Sequence, residues 1–95
     1  MTGNRVQRIR AALEASLTPS RLEIEDQSAR HAGHAGAADG RGHFAVDIES
    51  ERFAGMPTAA RHRLVYDAVG DLMRTDIHAL SIRARAPGES RPSSN

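Results

Sequence analysis

Histidine and arginine carry the chemistry open to this chain. Its 95 residues include five histidines and thirteen arginines, with no lysine and no cysteine. Three of the imidazoles, His31, His34 and His43, fall in one stretch, DQSARHAGHAGAADGRGHFAV (26–46), which also holds four of the eight glycines. So much glycine and alanine cannot pack a core, but it lets the backbone adapt around a metal or a partner. His31 and His34 stand three residues apart, a spacing found in metal sites, yet two imidazoles make an incomplete shell. From spacing alone they read as a solvent-exposed pair. The missing thiols exclude disulfides, thiol catalysis and any self-contained thiolate metal centre.

The other histidines differ in setting. His43 opens a strand pattern and is expected to hydrogen-bond across the base of the histidine stretch. His62, in Arg61-His62-Arg63, is expected to be structural. His78 shares the parity of the core-facing residues of a third strand but stands where that strand begins, at the rim of the core. With a histidine loop folded over the same edge, it would form half of a site. Ser28 lies three residues before His31, but neither an oxyanion hole nor an orienting acid is in evidence for nucleophilic catalysis. Gly33-His34-Ala35-Gly36 has the GxxG spacing of a KH nucleic-acid loop, which should join two helices and here lies between two strands. Arginine suits phosphate and carboxylate forks, although codon bias also explains an all-arginine chain. A net charge of +1 gives no global positive field for nucleic acid. Arg5, Arg8 and Arg10 read as a solvated helix face.

The elements that must position these groups follow from periodicity. Residues 4–17 predict a helix with Val6, Ile9, Leu13 and Leu17 on one stripe, Asn4 as its cap and Pro19 barring continuation. Arg21–Asp26 and His43–Ser50 alternate as half-buried strands and are expected to pair antiparallel. Pro57 suits the first turn of a core helix over Thr58–Met73, and Asp76–Ala84 is a third strand. The result is a single α+β domain in the order α-β-β-α-β over 1–88, followed by a flexible polar tail over 89–95. An arginine-bearing N-terminus without an apolar core, and no apolar run of membrane length, point to the cytoplasm.

Several segments, taken in order, resemble the BolA family across roughly Arg5 to Gly88. They are Glu25-Asp26-Gln27-Ser28 with Arg30-His31, then Gly42-His43-Phe44, then Ser50-Glu51-Arg52-Phe53-Ala54-Gly55-Met56. Arg61-His62-Arg63-Leu64-Val65-Tyr66 follows, and Ile77-His78-Ala79-Leu80-Ser81-Ile82 precedes Ala86-Pro87. The resemblance implies a class II KH-like fold, a three-stranded mixed sheet covered by helices. It implies no enzyme activity but a partner, a monothiol glutaredoxin that shares a [2Fe–2S] cluster and brings glutathione. That role belongs to iron–sulfur trafficking or iron homeostasis. Where family members carry histidine in the first loop, the ligands correspond here to His31 and His78, with His34 an open alternative to His31. Arg61, Arg63 and Arg83 are candidate contacts to partner or nucleic acid, and the free protein is expected as a monomer or weak homodimer. The alternative function is a DNA-binding transcriptional regulator. One departure is Arg41-Gly42, where the family often has Glu-Thr or Glu-Ser.

Overall fold

Alternation builds the sheet. In strand β2 (Gly42–Glu49) every second residue is buried, and the residues between are half-buried. That period-two pattern leaves one face, Phe44, Val46 and Ile48, for a core and turns Ala45, Asp47 and Glu49 the other way. The computed structural model describes residues 2–28 and 42–89. Helix α1 (Thr2–Leu17) precedes β1 (Arg21–Asp26). After β2 come a single 3-10 turn (Glu51–Phe53), α2 (Thr58–Val69), the short α3 (Leu72–Thr75) and β3 (Ile77–Arg85).

The sheet has the order β1-β2-β3. β1 pairs antiparallel to β2, with Leu22 opposite Ile48 and Ile24 opposite Val46. β3 pairs parallel to β2, with Phe44 beside Leu80 and Ile48 beside Ala84. The parallel pairing requires a crossover, which α2 and α3 supply. Ile9, Leu13 and Leu17, each four residues apart on α1, meet Phe44, Val46, Ile48, Phe53, Val65, Val69, Ile77 and Ala86 in one core. This is the expected α+β domain with a mixed sheet.

Differences from the expected boundaries have local causes. α1 begins at Thr2, so Asn4 lies inside the helix and does not cap it. The helix predicted over 58–73 breaks after Val69 because Gly70 adopts φ +50° and its N–H bonds back to Tyr66 O. A positive φ at a helix end is reached most easily by glycine, which has no Cβ to clash. Leu72 and Met73 still pack against the core from α3, which is why the apolar pattern ran through the break. Glu89, expected in the tail, belongs to the folded domain. It accepts from both terminal nitrogens of Arg61 at 2.6 and 2.8 Å, and Ala86 N–H donates to it at 3.1 Å.

Candidate functional site

The site forms where β2 and β3 begin side by side. Gly42 pairs with Ile77 and His43 with Ala79, so the ladder advances one residue on β2 while β3 advances two. His78 is the extra residue of a β-bulge. Bulges re-aim side chains, and here the consequence is direct. Strict alternation would have sent His78 to the core face with Leu80 and Ile82. Instead Ile77 is fully buried and His78 is exposed. Its ring lies beside that of half-buried His43, with centroids 5.2 Å apart and planes tilted by 46°.

Three sets of contacts hold this corner. On the β1 side, Asp26 Oδ1 accepts from Ser28 N–H at 2.9 Å, turning the chain back. Ser28 Oγ then accepts from His43 N–H at 3.2 Å, and Gln27 N–H donates to His43 O at 2.7 Å. The expectation that His43 bonds across the base of the histidine stretch is met through its backbone. On the β3 side, Gly42 N–H donates to Asp76 O at 2.9 Å. From α1, Arg8 Nε donates to Asp76 Oδ2 at 2.7 Å and completes an ion pair with that buried carboxylate. Burial pushes the Asp76 carboxyl upward, but hydrogen bonds from Thr75 and Arg8, with the charges of Arg8 and Arg5, outweigh it. The net position is below the usual carboxylate range.

Gly42 explains its own presence. A Cβ built there would stand 2.5 Å from Ser28 Oγ and 2.8 Å from Phe44 Cε2. The glycine at 42 therefore lets Ser28 close on His43 without disturbing the core.

Of the site residues expected from sequence, His78 is placed at the surface and the corner is built around it. His31 and His34 lie outside the described residues. Arg61 is committed to the fold: besides Glu89, its guanidinium donates to Met56 O at 2.9 Å and Ala84 O at 3.2 Å. Arg63 is exposed beside a shallow hollow lined by Met56, Pro57, Ala60 and Leu64. Arg83 is exposed on the sheet face opposite the helices, across from Asp47 in the ladder. Arg8 and Arg10, read as solvated, are tied to Asp76 and, at 3.4 Å, to Leu22 O. His43 is the residue whose place beside His78 went unrecognised. Both histidines open strand patterns in the sequence, but the parallel pairing that sets those two starts side by side is visible only in the fold.

Among the described residues no helix is long and apolar enough to cross a membrane. The BolA family model, described as BolA-like protein, matches residues 13–89. SufE-like protein 1, chloroplastic/mitochondrial, of Arabidopsis thaliana is 48% identical over 92% of this chain and 25% of its own length. Protein BOLA1, chloroplastic, of the same plant is 47% identical over 92% of this chain and 56% of its own. This chain thus spans a quarter and about half the length of these two relatives. The DNA-binding transcriptional regulator BolA of Escherichia coli is 37% identical over 80% of this chain and 70% of its own. Among solved structures, the BolA domain of SufE1 from Arabidopsis thaliana superposes with a TM-score of 0.78 at 43% identity, covering 90% of this chain and 95% of that one. With the match running through the helix–strand framework and the His43–His78 corner alike, this chain belongs to the BolA family.

Proposed function

We propose that the chain is a non-enzymatic adaptor that binds a monothiol glutaredoxin and helps to ligate a shared [2Fe–2S] cluster. Its role is then in iron–sulfur trafficking or iron homeostasis. The observation that carries this reading is the exposed imidazole of His78, set on a bulge and backed by His43. The donor set suits the idea. Such a cluster is usually held by thiolates, and this chain has no cysteine, so it offers nitrogen where a partner must supply sulfur. His78 would hold iron from this side, and His31 or His34 would be the second imidazole. When bound, the cluster supplies an iron whose histidine ligation raises its reduction potential and can be protonated. The cytoplasmic address and a free state as monomer or weak homodimer belong to the same proposal.

The test is to mix the chain with a monothiol glutaredoxin, glutathione and reconstituted cluster, and to follow absorption and circular dichroism. Wild type should change the visible spectrum, and His78→Ala should abolish the change. His31→Ala and His34→Ala identify the second ligand. An unaltered spectrum with wild type would overturn the reading.

DNA binding is the rival, favoured by the name of the Escherichia coli relative and by the KH-like resemblance. Four of the arginines that would contact phosphate (Arg8, Arg10, Arg61 and Arg85) are instead engaged with acidic or carbonyl groups of the fold. Tyr66 is the exposed aromatic, while Phe44 and Phe53 are buried, so a stacking platform is lacking. A salt titration against specific and scrambled duplexes separates the two. A sequence-specific complex at physiological salt would favour regulation of transcription.

A further inference from the structure

We propose that the free chain pairs weakly with a second copy of itself through the outer face of α2, the two helices lying antiparallel about a two-fold axis. On a helix, residues three and four apart share a side. The solvent side of α2 carries exposed Arg63 and, one turn on, exposed Asp67. Half-buried Leu64 flanks them on one side and Tyr66 on the other. Tyr66, at 42% exposure, is the large hydrophobic side chain left in solvent among the described residues. Small residues stand at both ends, Ala59 and Ala60 near the start and Gly70 just past the last turn. The shallow hollow lined by Met56, Pro57, Ala60 and Leu64 also has Arg63 and Asp67 in its wall.

Charge decides the occupant. Among the described residues the side chains of Arg63 and Asp67 make no ion pair or hydrogen bond, not even with each other. Arg8, Arg61 and Arg85, by contrast, are tied to acids of the fold. A partner suited to this face therefore offers an acid and a base one helical turn apart, in reverse order. An antiparallel copy of α2 does so. Reversal about position 65 sets Arg63 against Asp67 of the second copy, and Asp67 against its Arg63. The same reversal places Ala60 opposite Gly70, so no bulky side chain there holds the helix axes apart. It also gathers both Leu64 and both Tyr66 side chains about the axis. A nucleic acid would satisfy Arg63 but meet Asp67 with like charge. Because each copy presents the same patch, the contact closes as a dimer rather than growing into a filament.

Size sets the strength. A helix of 12 residues is about 18 Å long, too short to bury the roughly 800 Å² per partner of a stable complex. The expected dissociation constant is about 0.1–1 mM. None of these side chains belongs to the His43–His78 corner, so the inference stands apart from the cluster reading.

The experiment dilutes the tag-free full chain, without any other protein, from about 2 mM to about 20 μM, spanning that constant. Amide chemical shifts and translational diffusion follow the change. Wild type should show dimer-to-monomer diffusion, with the shifts that move centred on residues 59–70. Arg63→Glu or Asp67→Arg alone sets like charges opposite each other in both symmetric pairs and should weaken the dimer by about tenfold or more. The double variant Arg63→Glu with Asp67→Arg restores opposite charges and should return to within about threefold of wild type. Mixing the two single variants should also restore pairing, since one copy then presents only acids and the other only arginines. Both positions are exposed, so every variant should keep its melting temperature within about 4 °C. Wild-type diffusion that does not change on dilution overturns the proposal. So does a dimer indifferent to either reversal, or a double variant or mixture that stays monomeric.

Discussion

Adding one methyl group at Gly42 should unsettle the whole corner. In Gly42→Ala the new Cβ meets Ser28 Oγ at 2.5 Å and the Phe44 ring at 2.8 and 3.0 Å. Phe44 is 1% exposed and embedded in the core, so it cannot swing aside without repacking, and overpacking costs about 1–3 kcal/mol. Ser28 is the softer neighbour. Moving it breaks its hydrogen bond to His43 N–H, a loss of about 1 kcal/mol. Replacing glycine offsets about 0.5 kcal/mol through lost freedom in the unfolded chain. The net destabilisation is about 2–3 kcal/mol, or about 10–20 °C in melting temperature for a domain this size. Urea denaturation measures it directly, with an unchanged slope showing that only stability moved. In the double variant Gly42→Ala with Ser28→Ala the shortest clash is gone, so the second substitution should cost less than it does alone. A Gly42→Ala loss below about 0.5 kcal/mol, or full additivity in the double variant, would refute the account of why glycine stands there.

The other expectations concern the charges around the same framework. Arg8→Ala should cost about 1 kcal/mol at neutral pH, because it strips a buried carboxylate of its cation while Arg8 itself is half exposed and its contribution discounted. Asp76 is held below its ordinary value of 3.8. The stability that Arg8 adds is thus present above that pH and shrinks as pH falls through the lower folded value. Denaturation of both chains at neutral pH and in acid checks the convergence. Hydrogen bonds from Arg61 and Ala86 N–H hold the Glu89 carboxyl down to about 2, against an ordinary 4.5. The clasp should therefore stay intact above the higher value and open as pH drops towards the lower. The Ala86 amide resonance should report that single transition, and Glu89→Gln should remove it.

Much of the framework was legible from one sequence. The α1 stripe of Ile9, Leu13 and Leu17, the alternation of β1 and β2, and the burial of Phe44 follow from local periodicity. Boundaries shifted where a single backbone state intervened, as at Gly70. Charges were least legible. Arg8, Arg61 and Arg85 look like solvated residues in sequence, but each finds an acid distant along the chain: Asp76, Glu89, and Asp47 with Glu49.

The sequence by itself determined that this chain has imidazoles and no thiols to offer, and that it folds as α-β-β-α-β with a small apolar core. Those properties are written in residue types and in periods of two and three to four. Only the tertiary structure decided that His43 and His78 face one another. Parallel pairing brings the starts of β2 and β3 together, and the bulge turns His78 out of the core-facing parity. Neither the partner strand nor one extra residue in a ladder leaves a mark on local periodicity, because both are set by contacts between segments far apart in the chain.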